Sequence, residues 1–153
     1  MNNPIKLLCG LLQILIIVIM LTRCSVNRNQ QESPPPQKTK PMPPENSLEI
    51  SPQDVKKKLE QKEDFVLIDC REQDEFNLVH IDHSRLVPMS ELEQKAGELK
   101  DLKQKEIIVY CHHGRRSMMV TKWMFEHGFT NVKSMAGGID RWSEEIDPKL
   151  QRY

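Results

Sequence analysis

A polar loop that follows an apolar strand without a break is the feature that most restricts the fold of this sequence. Residues 106–110 are typical of a buried β-strand, and Cys111 comes directly after them. Residues 117–127 then have the pattern of an amphipathic helix. The loop between strand and helix consists of His112, His113, Gly114, Arg115, Arg116 and Ser117. A strand, a short loop and a helix in this order favour an α/β fold with its functional site at the loop.

This loop has the composition of a site for a cysteine thiolate. The pKa of a thiol falls from about 8.5 when backbone N–H groups, a helix N-terminus and cationic side chains surround the sulfur. All three are predicted around Cys111. The alternative is a buried, inert cysteine, but a core position would not need so many polar residues and a glycine beside it. Cys111 is therefore predicted to be the nucleophile, and residues 112–117 its binding loop.

Strands and helices alternate along the second half of the chain. Helix starts are predicted at Ser51-Pro52 and at Ser90, a helix end at Gly128, and a last helix from Gly138 onward. Strands are predicted at residues 48–50, 65–68, 86–88, 107–110 and 132–135. Alternation of this kind predicts a central, mostly parallel sheet with helices on both faces.

The first residues have a different composition from the rest. Residues 7–22 are uncharged and almost wholly apolar, so residues 1–24 are interpreted as a signal or membrane-anchor segment. A helix over residues 7–22 would rise about 24 Å, less than the roughly 30 Å of a bilayer core, which leaves both interpretations open. Arg23 argues against a lipid-modified Cys24. The charges that flank the segment slightly favour a cytoplasmic domain, whereas cleavage of a precursor would give an exported domain. The side of the membrane on which the domain lies therefore stays open.

Residues 25–46 are rich in proline and polar side chains and are predicted to be an extended linker to a domain at residues 47–153. The chain has 22 basic and 22 acidic residues, which gives no reason to expect a nucleic-acid partner. Its four cysteines lie in unrelated contexts, so neither a disulfide framework nor a zinc site is indicated. We expect no metal and no other cofactor.

Several segments together resemble the single-domain rhodaneses, which are thiosulfate or persulfide sulfurtransferases. The resemblance covers roughly residues 48–153. It is carried by residues 66–72, the Glu75-Phe76 pair, His80-Ile81, the loop 111–117, and residues 128–132 and 136–142. It implies a rhodanese-like three-layer α/β fold. The sequence departs from the family pattern at Val79 and at residues 82–84, which leaves the shape of that turn open.

The resemblance implies that Cys111 takes a sulfane sulfur from thiosulfate or a persulfide and passes it to a thiol, cyanide or a sulfur-accepting protein. The loop amides and Arg115 or Arg116 would then bind the anionic donor. A persulfide relay or redox-partner module with little thiosulfate activity is the alternative. A phosphatase or arsenate reductase fits less well, because related phosphatases have arginine where this chain has Ser117.

Asp69 and Arg71 are predicted to support the site from the end of the neighbouring strand. Arg71 would reach the donor or brace the loop, or the two would form a structural ion pair. Cys70 lies between them, and its side chain is predicted to point away from theirs and to pack in the core.

Overall fold

The computed structural model describes residues 41–153, which form a five-stranded sheet flanked by helices. The strands are β1 (Glu49–Ile50), β2 (Phe65–Asp69), β3 (Arg85–Leu86), β4 (Glu106–Tyr110) and β5 (Val132–Met135). The α-helices are α1 (Pro52–Glu60), α2 (Gln73–Leu78), α3 (Leu92–Lys95), α4 (Arg115–Glu126) and α5 (Gly138–Glu145). Short 3₁₀ helices occupy Glu45–Leu48, Met89–Glu91 and Lys100–Leu102.

The sheet has the order β1-β5-β4-β2-β3, and every strand pair is parallel. The two central strands β4 and β2 pair along their whole length, from Phe65 opposite Glu106 to Asp69 opposite Tyr110. Their carboxyl ends therefore lie side by side in the middle of the sheet. Open parallel sheets place their functional sites at this edge.

Each face of the sheet carries its own hydrophobic core, which makes the domain three-layered. Ile68, Ile107 and Val109 pack on one face against Val120 and Met124 of α4. The other face packs against α1 and α5, through side chains that include Leu67, Ile108, Val55, Ile139 and Trp142. The predicted α/β class, with helices on both faces of a parallel sheet, is confirmed.

Local signals in the sequence place the start of α1 and the end of α4 correctly. The Ser51 side chain accepts the Asp54 N–H at 3.1 Å, which caps α1, and Pro52 stands at its first position. Gly128 follows α4 with a φ of 87°, in the left-handed region that a helix end needs. Helix α4 begins at Arg115, two residues earlier than predicted, so both arginines of the loop lie in its first turn.

The helix predicted to follow Ser90 is largely absent, which corrects that expectation. Residues 89–102 instead form two 3₁₀ turns and the single turn α3, with Leu92 and Leu99 buried. Ser90 does not cap a helix, because its hydroxyl donates to Glu72 at 2.8 Å. Gly97 lies within the segment and lowers its helix propensity. Helix α2 was not predicted; it starts with a capping box between Glu72 and Glu75.

The turn at residues 79–84 is closed from inside the protein by Tyr110. Its hydroxyl accepts the Ile81 N–H at 3.2 Å and bonds to the Ser84 hydroxyl at 2.9 Å. His83 adopts a φ of 64° there. A buried tyrosine thus shapes the turn where the sequence departs from the family pattern.

Within residues 41–153, no helix is long and apolar enough to span a bilayer. The predicted apolar segment at residues 7–22 and most of the predicted linker lie outside the described part of the chain. The last linker residues are described: residues 41–44 have no regular structure, and the 3₁₀ helix Glu45–Leu48 buries Leu48.

Candidate active site

Cys111 lies one residue beyond β4, at the bottom of the loop that leads into α4. Its Sγ accepts a hydrogen bond from the Gly114 N–H, with 3.2 Å between sulfur and nitrogen. The residue is only 1% exposed. The loop thus curves around Cys111 and directs its donors inward, as a site for an anionic sulfur requires.

These donors lower the pKa of the Cys111 thiol to about 5, although burial alone would raise it. The largest cause is a hydrogen bond from the side chain of Cys70, followed among the favourable causes by those from Ser117 and Gly114. The same contact and its burial raise the pKa of Cys70. At neutral pH, Cys111 is therefore the thiolate and Cys70 the protonated donor.

The start of α5 holds the loop from the side. The Ile139 N–H donates to the carbonyl of Cys111 at 2.8 Å, and the Asp140 N–H donates to that of His112 at 3.1 Å. Gly138 makes this approach possible, because a Cβ there would lie 2.3 Å from the Cys111 carbonyl oxygen. Its φ of 61° also disfavours any other residue. The loop is thereby fixed at both its carbonyl and its amide groups.

The two arginines of the loop have different surroundings. Arg116 makes a bidentate pair with Glu75, with both N–O distances at 2.6 Å. This pair lowers the pKa of Glu75 to about 2. Arg115 is exposed and lines an open surface depression together with His113, Met118 and Met119. Both guanidinium groups were predicted as candidates to bind the sulfur donor, but that of Arg116 is already paired with a carboxylate.

Asp69 and Arg71 form a fully buried ion pair, with 2.5 Å between Arg71 Nη2 and Asp69 Oδ2. Arg71 also donates to the Val79 carbonyl at 2.7 Å and to the Tyr153 hydroxyl at 2.5 Å. The Tyr153 ring stacks on His112, with 4.3 Å between ring centroids. The pair therefore braces the loop through the C-terminal tyrosine.

His112, His113 and Asp140 bring three possible metal ligands together, all within 4.8 Å of one another. However, Asp140 already accepts a hydrogen bond from Arg152 Nε at 3.0 Å, and the two imidazole rings stack on each other at 3.9 Å. We assign no metal to this group.

The structure brings the predicted residues to one edge of the sheet and adds four that were not predicted to act there. Cys111, the loop 112–117 and the Asp69–Arg71 pair all meet at the carboxyl edge of β2 and β4. The additions are Cys70, Glu75, Gly138 and Tyr153. The position of Cys70 could have been predicted, because Cys70 directly follows β2, Cys111 directly follows β4, and residues that follow two paired strands lie side by side. The contacts of the other three join distant segments.

Comparison with known proteins agrees with this geometry. The family model described as "Rhodanese-like domain" matches residues 51–145. Thiosulfate sulfurtransferase GlpE of Coxiella burnetii is 38% identical over 84 residues, which is 55% of this chain and 77% of that protein. A crystal structure of a rhodanese-related protein from Thermoplasma volcanium has 30% sequence identity and a TM-score of 0.57, covering 64% of this chain and 92% of that one.

Larger relatives contain the same domain as one part. Adenylyltransferase and sulfurtransferase UBA4 of Candida albicans is 28% identical over 117 residues, which is 72% of this chain but 27% of that protein. The chain thus spans about a quarter of the length of the first curated relatives it matches. With a cysteine loop at the edge of a parallel sheet and a family match over most of the folded part, the chain belongs to the rhodanese-like domain family, which includes sulfurtransferases.

Proposed function

We propose that this protein is a sulfurtransferase that moves a sulfane sulfur from thiosulfate or a persulfide donor to a thiol or cyanide through a persulfide on Cys111. The observation that carries the proposal is the Cys111 thiolate, whose pKa is lowered to about 5 inside a loop of hydrogen-bond donors. A thiolate is the form that attacks a sulfur–sulfur bond. The thiosulfate activity named for the relative from Coxiella burnetii supports the same chemistry.

The transfer is a double displacement with a covalent intermediate. The Cys111 thiolate attacks the outer sulfur of the donor and forms a new S–S bond. The S–S bond of the donor breaks, and sulfite or a thiolate leaves with its electron pair. A thiol or cyanide then attacks the outer sulfur of the Cys111 persulfide and restores the thiolate. Loop amides solvate the persulfide anion in this scheme, and Arg115 attracts the anionic donor.

The size of the loop supports sulfur rather than phosphoryl transfer. Residues 111–116 precede Ser117, whose hydroxyl donates to the Gly114 carbonyl at 3.0 Å and bonds to Ser134 at 2.8 Å. A phosphatase of this general type would need a guanidinium at that position to surround the phosphoryl oxygens. Ser117 is fully buried and offers no cation. A phosphatase or arsenate reductase function therefore fits this loop less well than sulfur transfer does.

A persulfide relay between proteins is the second candidate function. It is favoured by the surface beside the loop, where Met119 is 51% exposed next to Arg115 and His113. Such a surface would receive a sulfur-accepting protein, and the domain would then show little activity with free thiosulfate. The two functions share the Cys111 persulfide and differ in the donor that forms it.

We further propose that residues 7–22 associate the protein with a membrane, as their apolar composition indicates. The proline-rich residues 25–46 would then separate the catalytic domain from the bilayer.

The test is the mass of the purified protein after incubation with thiosulfate and removal of the excess. We expect the gain of one sulfur atom, located on Cys111 by peptide mapping and removed by cyanide. Cys111→Ser should abolish both the mass gain and thiocyanate formation, whereas Cys24→Ser, outside the catalytic domain, should keep both. A loaded sulfur on any other cysteine, or none in the wild type with either thiosulfate or a persulfide donor, would contradict the proposal.

A further inference from the structure

Cys70 has a position in the site that sulfur transfer through Cys111 does not by itself require. It is completely buried, and both it and Cys111 are free thiols. Cys70 also belongs to a hydrophobic cluster of the core, where an apolar side chain would fill the same space without a second thiol. Its placement therefore calls for a separate explanation.

The register of the two central strands makes Cys70 and Cys111 neighbours. Asp69 is paired with Tyr110, and the Cys70 N–H donates to the Tyr110 carbonyl at 2.9 Å. One residue further, Cys70 lies next to Cys111 across strands that are about 4.8 Å apart. Disulfides join Cα atoms that are about 4.4–6.8 Å apart, so this spacing suits one.

Both side chains also point to the same face of the sheet. Ile68 and Val109 are paired in register and lie in one hydrophobic cluster. Side chains two residues further along a strand return to the same face, and Cys70 and Cys111 belong to that same cluster. The pKa of the Cys111 thiol agrees with this arrangement, because the nearby Cys70 side chain is the largest cause of its lowering.

We propose that Cys70 and Cys111 form a reversible intramolecular disulfide when a peroxide oxidises the site. In the first step, the Cys111 thiolate attacks hydrogen peroxide: an S–O bond forms, the O–O bond breaks, and hydroxide leaves, so that the sulfur loses two electrons and becomes a sulfenic acid. In the second step, the Cys70 sulfur attacks the Cys111 sulfur, the S–O bond breaks, and the hydroxyl leaves as water with the Cys70 proton.

The disulfide would inactivate Cys111 and protect its sulfur from further oxidation. A second molecule of peroxide oxidises a sulfenic acid that has no neighbouring thiol to a sulfinic acid and is itself reduced to water; thiols do not reduce the sulfinic acid. A disulfide is returned to two thiols by a dithiol, which supplies two electrons and two protons. The site would therefore stop during oxidation and recover afterwards.

The experiment treats the full-length protein with hydrogen peroxide, alkylates the remaining thiols and maps the peptides by mass spectrometry. No sulfur donor is present, so the result is independent of the proposed sulfur transfer. We expect a linked Cys70–Cys111 peptide that has lost two hydrogen atoms and disappears after dithiothreitol. Several lysines and arginines between the two cysteines allow trypsin to release the linked peptides. Absence of the linked peptide from wild-type protein whose Cys111 has been oxidised would overturn the proposal.

Cys70→Ser provides the second arm, with Cys70→Ala in reserve should the serine variant fail to fold. In either variant, treated at a pH high enough to keep Cys111 a thiolate, Cys111 should gain two oxygen atoms and resist recovery by dithiothreitol, at peroxide doses from which the wild type recovers. Equal yields of sulfinic acid in wild type and variant would show that Cys70 gives no protection and would contradict the proposal. If neither variant folds, the presence or absence of the linked peptide in the wild-type protein still tests the proposal.

Discussion

The reactivity of this domain depends on one sulfur atom and the protons around it. Cys111 is surrounded by donors from Cys70, Ser117 and Gly114, and burial opposes their effect. The net result is a thiolate at neutral pH. Because the thiolate is the reactive form of cysteine, the titration of Cys111 can be followed by alkylation, without knowing which compound donates sulfur.

We expect the alkylation of Cys111 by iodoacetamide to follow a single titration with its midpoint near pH 5, the lowered pKa of its thiol. The rate should be fully developed at pH 7 and fall as the pH drops through the midpoint. In Cys70→Ala, the strongest donor is missing, so the midpoint should move up toward the usual thiol value of about 8.5. Peptide-resolved alkylation, with glutathione as reference thiol, measures both. An unchanged midpoint in Cys70→Ala would show that Cys70 is not the main donor.

The Arg116–Glu75 pair should contribute to stability in a pH-dependent way. The folded pKa of Glu75 is lowered to about 2, below its unfolded value, so the contribution is complete at neutral pH. It should be lost as the pH falls from about 4.5 toward 2. With Arg116 about a third exposed, we expect Glu75→Gln to reduce the free energy of unfolding by about 1–2 kcal/mol at pH 7 and by almost nothing near pH 2. Urea titrations at both pH values measure this difference; equal losses at the two values would contradict it.

The two loop arginines should also differ in how much they contribute to binding of the sulfur donor. Arg115 is exposed beside the loop, whereas Arg116 is already paired with Glu75. We expect Arg115→Ala to raise the KM for thiosulfate with little change in stability. Arg116→Ala should lower stability, because Glu75 loses its partner. Steady-state kinetics and thermal unfolding of both variants separate the roles; a KM effect confined to Arg116→Ala would mean that Arg116 leaves Glu75 to bind the donor.

At the residue scale, the sequence predicted the position of Cys111 and its loop better than the contacts of their side chains. Cys111 and its loop are contiguous, so composition and order were enough to place them between a strand and a helix. The pairing of Arg116 with Glu75 joins residues 41 positions apart, and that of Arg71 with Tyr153 joins residues 82 apart. No local pattern encodes such contacts, so the sequence left both Arg115 and Arg116 as candidates for binding the anionic sulfur donor.

At the scale of elements, the contact between the loop and α5 is the structural requirement of the site. Gly138 allows the first turn of α5 to donate two N–H groups to the carbonyls of Cys111 and His112. The double glycine at residues 137–138 marked the start of a helix in the sequence, but not what that start would touch.

We expect Gly138→Ala to displace the loop, because its Cβ would lie 2.3 Å from the Cys111 carbonyl oxygen and 2.4 Å from that of His112. Backbone atoms cannot yield as a flexible side chain would, so stability should fall by more than about 2 kcal/mol and sulfur loading of Cys111 should be lost. Gly97→Ala is the matched control, since no heavy atom lies within 4 Å of its Cβ position. Urea denaturation and intact mass measure both variants. Wild-type loading in Gly138→Ala would show that the loop needs no support from α5.

The strands were easier to predict than the irregular segments. Buried strands such as β2 and β4 are continuous apolar runs, and α1 carries its own start signal in Ser51 and Pro52. Residues 89–102 instead alternate between single turns, and only Leu92 and Leu99 are held in the core. The spacing of the apolar residues fits a helix, but the backbone forms separate turns, because packing of Leu92 and Leu99 in the core overrides a weak helix propensity.

At the scale of the whole molecule, the described domain holds every residue assigned to the chemistry. The site lies where the two longest strands of the sheet end, and the C-terminal residue Tyr153 reaches back to Arg71 and Glu75. Removing residues from the C-terminal end would therefore disturb the site, whereas the residues before Pro41 contribute no side chain assigned to it.

Residues 7–22 are too apolar to remain in water, and residues 25–46 are too polar and proline-rich to cover them. We expect full-length protein to sediment with membranes and to resist a high-salt wash, because burial of apolar surface is not screened by salt. A chain that begins at Pro41 should stay in the supernatant and transfer sulfur from thiosulfate at the full-length rate, since all the site residues lie beyond that point. Fractionation of cells expressing each chain, followed by immunodetection and rate assays, tests both parts. Uncleaved full-length protein in the supernatant would show that residues 7–22 are no anchor, and a slower rate for the shorter chain would show that the first 40 residues do more than locate the enzyme.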